Sequence, residues 1–198
     1  MKNIQNLEIK KQRSKHIRFM TTGFILILLV MGILNKGLSL NPNTSTTALV
    51  GKKAKNFQVP LIQASGNLQK KQILTLEDFK GKPIILNFWA SWCYSCREEA
   101  AIVESFWKKH QHENVAVVGI AIQDNIKAAS EFARAYGKTY VLALDEKGDA
   151  GINYGITGVP ETFFIDKNGV IVHKIAGPVN DKILEYWHSK IALDSSTG

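Results

Sequence analysis

The sequence predicts an α/β domain: a central mixed sheet with helices on both faces. Three observations carry that prediction. Apolar runs of strand length alternate with segments of helical period, the signature of parallel strands joined by helices. Two of the runs, "IILNFW" at Ile84–Trp89 and "VAVVGIAI" at Val115–Ile122, are nearly unbroken, as expected of buried central strands. The last two strand candidates flank a "KNG" turn, which makes a hairpin and brings antiparallel pairing.

Taken in order, "NFQVPLI" is a short strand, and Gly66-Asn67 marks a turn. "TLEDFKGKP" is a capped helical turn ended by Gly81 and Pro83. After the strand at Ile84–Trp89, a helical pattern runs from about Cys93 to His110. Beyond the second strand, "NIKAASEFARAYG" is helical, with Ile126, Ala129, Phe132, Ala133 and Tyr136 on one face and Gly137 as its stop. "YVLAL" is a third strand, and Ala150 to Tyr154 a short helical segment. "TFFID" and "VIVHKIA" form the hairpin, and "DKILEYWHSK" closes as a helix with Ile183, Leu184 and Trp187 facing in.

The 198 residues leave room for something besides this domain. Residues 1–18 carry six Lys or Arg against one Glu, and Phe19 to Leu34 is uncharged. A basic segment followed by an apolar one is the pattern of an export signal. The uncharged run is short against the roughly 17 residues a span needs, but "GLSL" follows Asn35-Lys36 and extends it. With no small-residue cleavage site after it, an uncleaved signal anchor over 19–40 is expected. The positive flank then stays cytoplasmic. The expected organisation is a basic cytoplasmic tail at 1–18, the anchor at 19–40, a polar linker at 41–48 and one domain at 49–198. The expected location is the cytoplasmic (inner) membrane, single-pass, with the domain facing the periplasm or cell exterior. The formal net charge of +8 resides mostly in the tail; residues 51–198 hold 18 basic and 16 acidic side chains. No basic stripe for nucleic acid is present, and a monomer is expected.

The only cysteines, Cys93 and Cys96, lie in "NFWASWCYSCREEA". A structural staple over so short a loop contributes roughly 2 kcal/mol at most. A structural zinc site needs four ligands, and His110, His112, His173 and His188 show no ligand spacing with the pair; these histidines are expected to face solvent and no metal is expected. A redox pair fits best. The cysteines follow a buried strand and open a helix, where exposed N–H groups and partial positive charge stabilise a thiolate. Cys93, at the helix end, is expected to be exposed and nucleophilic; Cys96, one turn in, is expected to be more buried and to resolve the mixed disulfide. A Cys-x-x-Cys pair beside a βαβ pattern is itself a thioredoxin-like signal.

"LNFWASWCYSCREE" resembles the active-site stretch of membrane-anchored, thioredoxin-like thiol-disulfide oxidoreductases of cytochrome c maturation. "YGITGVPETFFIDKNGVIVHKIAGPV" and "LVGKKAKNF" resemble further signatures of that family, so the likeness spans about residues 49–190. The DsbE/CcmG type is the nearer; the TlpA and ResA-like group more often has Thr where Glu161 stands. The resemblance implies a thioredoxin-like fold with an N-terminal extension and a central strand-helix insertion, and a cis Val159-Pro160 bond facing the cysteines. It implies apocytochrome c, or its assembly partners, as the disulfide client, a membrane electron donor of DsbD or CcdA type, and no cofactor beyond the redox-active disulfide. A general periplasmic thiol reductant or disulfide isomerase is the alternative.

The resemblance also singles out neighbours of the pair. Glu99, three residues after Cys96, matches an acidic family position, and a carboxylate near a thiolate raises its pKa and can relay a proton. Asp124, just past the second strand, is the candidate for a second such acid. Glu161 is a candidate for contacting substrate or capping its loop, Val159 for pairing with a substrate strand, and Trp92 for shaping the docking surface. Trp89 reads as core. Two rivals are weaker: a peroxiredoxin-like peroxidase would want Thr where Ala90 stands, and a binding-only chaperone has no need of the cysteines. The Tyr94-Ser95 pair departs from the Pro that commonly follows the first cysteine.

Overall fold

The computed structural model describes residue 18 and residues 20–33, 48–63 and 68–193. It divides into two compact units, residues 1–44 and 45–198. In the first, residues 20–33 form helix α1, along which apolar side chains such as Phe24, Leu26 and Ile33 are exposed. Among the described residues, no helix is long and apolar enough to cross a membrane. Nearly all of the expected tail, both ends of the 19–40 segment, and the 41–47 part of the linker lie outside the described residues, as does the turn at Gly66-Asn67.

Among its described residues, the second unit contains seven strands: β1 (Gln58–Gln63), β2 (Ile73–Thr75), β3 (Ile84–Trp89), β4 (Ala116–Ile122), β5 (Val141–Asp145), β6 (Glu161–Ile165) and β7 (Ile171–Ala176). Its helices are α2 (Tyr94–His110), α3 (Ile126–Ala135), α4 (Asp149–Asn153) and α5 (Asp181–Leu193), with a 3-10 turn at Leu76–Phe79. The strand order is β2-β1-β5-β4-β3-β6-β7. β3, β4 and β5 are parallel, while β1, β2, β6 and β7 add antiparallel pairs. The mixed sheet is therefore as expected. β2 is not foreseen; three residues inside a polar stretch carry no periodic signal.

Alternation along β3 divides the core. Ile85 and Trp89 point into a layer with Ala100, Val103, Phe106, Phe132 and Leu184, contributed by α2, α3 and α5. Ile84, Leu86 and Phe88 point into the other, with Phe57, Leu74, Phe79, Ala150 and Tyr154. Helices thus cover both faces, three long ones on one side and the short α4 and the 3-10 turn on the other. α3 begins where the Asn125 side chain accepts the Ala128 N–H at 2.9 Å. It ends at Gly137 (φ +61°), where Lys138 N–H reaches Ala133 O at 2.9 Å, the six-to-one bond of a Schellman cap. Ala129, Phe132 and Ala133 are buried as expected, but Ile126 is exposed: it opens the helix one turn before the first buried position.

The β6–β7 turn is held by Asp166, whose Oδ1 accepts from the Asn168 and Val170 N–H groups. The register of β3 against β6 matters most for the site. Phe88 lies opposite Glu161, so the chain leaving the end of β3 toward the cysteines passes beside the chain entering β6 through Pro160.

Candidate active site

Trp89 ends β3, and Cys93 is the N-cap of α2. Its Sγ accepts the Cys96 N–H at 3.1 Å. Cys93 and Cys96 are joined by a disulfide, with Cα atoms 5.3 Å apart. In this oxidised form Cys93 is 5% exposed and Cys96 1%. The order of burial is as expected, but Cys93 is less accessible than the sequence reading has it. Val159 O lies 3.4 Å from its Sγ and Ser95 Oγ 3.7 Å away, and the bond to Cys96 covers a third side. The side chains on either side stand out instead: Trp92 is 58% exposed and Tyr94 75%.

The Val159-Pro160 peptide bond is cis, and the Val159 carbonyl faces the cysteine pair as expected. Trp92 donates its Nε1–H to Gln123 O at 3.1 Å. Gln123 itself adopts φ +48°, rare for a side-chain-bearing residue. With Gln123, Ile152, Ile156 and Val159, Trp92 lines a groove of about 270 Å³ next to the disulfide.

Glu99 is 2% exposed, not a solvated helix charge. Its Oε1 accepts from Asn87 Nδ2 at 2.8 Å, and its Oε2 from Val179 N–H at 2.9 Å. Asn87 also donates to Thr162 Oγ1 at 3.0 Å, so one side chain links β3, α2 and β6. Burial raises the Glu99 pKa; the two hydrogen bonds and the charge of Lys138 oppose that shift. Lys138 follows the end of α3 and is buried, its Nζ 3.8 Å from the centre of the Trp89 ring. Loss of hydration pushes its pKa down to about 7, against the pull of Glu99 and Glu104.

Two predicted site acids direct their hydrogen bonds to loops beside the cysteines. Asp124 accepts Ser91 N–H at 2.6 Å, Ser91 Oγ at 2.9 Å and Asn125 N–H at 2.8 Å. It therefore pins the turn before Cys93 to the end of β4. Glu161 is 2% exposed. Its Oε1 accepts Thr157 N–H and Oγ1, and its Oε2 is 2.6 Å from Lys174 Nζ. Of the two roles weighed for it, holding the loop is the one observed.

The structure adds Asn87, Gln123, Lys138 and Lys174, which sequence reasoning missed. A single polar residue in the apolar run "IILNFW" is the one signal that pointed to any of them. The histidine expectation is corrected in part: His112 is exposed, but His110 and His188 are buried against Phe106, and His173 stacks on Trp187 at 3.9 Å.

Residues 50–174 match the family described as AhpC/TSA. The thiol:disulfide interchange protein DsbE of Pseudomonas fluorescens biotype C is 34% identical over 174 residues, covering 87% of this chain and 90% of that protein. DsbE of Escherichia coli K12 is 33% identical over 146 residues, covering 73% and 75%. Among solved structures, a thioredoxin family thiol:disulfide interchange protein from Chlorobium tepidum superimposes with TM-score 0.60 at 25% identity, covering 70% of this chain and 94% of that one. StoA from Bacillus subtilis gives 0.57 at 26% identity, covering 68% and 97%.

Proposed function

This chain belongs to the AhpC/TSA family, among the thiol:disulfide interchange proteins of DsbE type, and from that premise we propose that it reduces the disulfide of apocytochrome c or of its assembly partners. It is a thiol-disulfide oxidoreductase acting through Cys93 and Cys96. One observation carries the reading: Cys93 Sγ sits at a helix N-terminus, 3.4 Å from the carbonyl that precedes cis-Pro160.

In the reduced enzyme, the Cys93 thiolate attacks one sulfur of the client disulfide. The other client sulfur leaves as a thiolate, and a Cys93–client disulfide forms. Cys96 then attacks Cys93 Sγ; the client sulfur bonded to Cys93 leaves as a thiolate, and the enzyme holds the Cys93–Cys96 disulfide. Two electrons have passed to the client. The helix N-terminus favours the Cys93 thiolate. Cys96 must lose a proton to attack, and Glu99, one turn further along α2, is the carboxylate that can take it. The client strand docks along Val159, with its neighbouring side chains in the groove beside Trp92. Re-reduction by a membrane dithiol of DsbD or CcdA type completes the cycle. The reading includes an N-terminal anchor over 19–40 in the cytoplasmic membrane, for which the uncharged run and its basic flank argue.

Cys96→Ser tests the client. Mixed disulfides on Cys93 then cannot resolve, and the trapped partners are identified by mass spectrometry. Apocytochrome c or its assembly factors are expected; a broad set of unrelated exported proteins would turn the reading to a general thiol reductant or isomerase.

A further inference from the structure

The C-terminal end of α2 carries a second cluster that thiol chemistry does not use. Glu113 places Oε1 2.7 Å from His110 Nδ1 and Oε2 3.5 Å from His188 Nε2. The three ligand atoms lie within 4.8 Å of one another. We propose that His110, Glu113 and His188 form a divalent metal site, best suited to zinc, that clamps α2 to α5 at the end of α2 remote from the disulfide.

The second ring of contacts is already in place. His110 Nε2 is 3.1 Å from Glu185 Oε1, and Lys109 Nζ holds the same carboxylate oxygen at 2.7 Å. When Nε2–H donates to Glu185, the lone pair of the ring is at Nδ1, on the Glu113 side. A carboxylate behind a histidine in this manner fixes the ligating tautomer in metal sites. A bare Nδ1 and a carboxylate oxygen 2.7 Å apart repel each other unless a cation, a proton or a metal ion, sits between them.

Packing fixes the two imidazoles. They are 6% and 8% exposed, with Phe106 4.4 Å from the His110 ring and 5.4 Å from the His188 ring. Glu113 is half exposed, so the ion has an entry path and water can complete its coordination. Two imidazoles and a carboxylate are a familiar zinc donor set. With zinc–ligand distances near 2.0–2.1 Å, ligand atoms sit about 3.4 Å apart in a tetrahedron, close to the 3.5 Å between Glu113 Oε2 and His188 Nε2. Sequence spacing hides the site, because His188 comes from another helix.

The test uses the purified full-length chain, kept oxidised so that Cys93 and Cys96 cannot bind metal. Zinc chloride is titrated in competition with a chromophoric chelator, and thermal melts are run with and without zinc. One zinc per chain and a raised Tm are expected. His188→Ala is expected to weaken binding at least tenfold. Glu185→Gln is expected to weaken it roughly tenfold through loss of the tautomer-fixing contact. Because His188 is buried, Glu113→Gln, a surface substitution, is the decisive variant; it is expected to remove the zinc-dependent rise in Tm. No zinc-dependent Tm change in the wild type, or wild-type zinc affinity in Glu113→Gln, overturns the proposal.

Discussion

Lys174 Nζ and Glu161 Oε2 lie 2.6 Å apart, and both side chains are almost wholly buried. Lys174 also donates to Gly155 O at 3.2 Å, while Glu161 holds Thr157. One ion pair therefore ties down both ends of the loop that presents Val159 to Cys93. Removing one partner leaves an uncompensated buried charge, at about 3–5 kcal/mol. Lys174→Met is expected to lose that much stability in urea denaturation and to slow client reduction. Adding Glu161→Leu is expected to restore part of the stability, because the orphaned charge goes with it; strictly additive losses would sink the idea.

Glu99→Gln removes the buried carboxylate one turn beyond Cys96. A nearby negative charge disfavours a thiolate, so thiol titration is expected to move to lower pH in the variant. Unchanged thiol titration would exclude a tuning role. Stability carries a second signature. Burial raises the folded-state pKa of Glu99 above 4.5. Its contribution is therefore fully present below about pH 4.5 and is lost as pH rises through the folded value. Glu99→Gln is expected to flatten that fall, as read from denaturation midpoints across the acidic range.

Lys138 has the opposite sign. Its pKa falls from 10.5 to about 7 on folding, so between those values the unfolded chain binds the extra proton. Its contribution to stability is present above pH 10.5 and is lost as pH falls toward 7. Wild-type stability is expected to climb through the mildly alkaline range, and Lys138→Met is expected to remove most of the climb. Parallel stability profiles for the two proteins would refute the assignment.

Gly119, opposite Asn87 in β4, sits under a crowded ceiling. A Cβ there would lie 2.8 Å from Leu142 Cδ2 and 3.0 Å from Trp89 Nε1. Gly119→Ala is expected to destabilise the domain by about 1–3 kcal/mol. An unchanged denaturation midpoint would show that these side chains yield freely.

Trp92→Ala addresses the exposed rim. Little core contact is lost, so stability is expected to change by less than about 1 kcal/mol. The rate of reduction of a protein disulfide is expected to drop, with a small-molecule disulfide much less affected. Equal effects on both would mean that Trp92 acts on the cysteines rather than on docking.

The strands and helices were legible because their apolar periods are long and their stops are strong: "IILNFW" is buried along its whole length, and Gly137 ends α3 in a left-handed turn. Cys93 and Cys96 were legible because two cysteines at the start of a helix have few other uses. Lys138 and Lys174 were not. A lysine next to a turn or within a hairpin reads as a surface charge, and only the assembled sheet shows that aromatic rings and a buried carboxylate enclose it. Glu161 was legible in part: its place after Pro160 suggested either contact with a client or a hold on the loop, and its side chain turns inward to Thr157 and Lys174. Side-chain direction at a strand start depends on partners far along the chain.

The Cys93 sulfur is at once the reacting atom and the atom that accepts the Cys96 N–H at the head of α2. Each exchange of its covalent partner therefore alters the bond that closes the first turn of a seventeen-residue helix. Redox state and helix fraying become one equilibrium seen from two sides. The Cys96 amide is thus a built-in reporter, whose hydrogen-exchange rate should step with every state of the catalytic cycle.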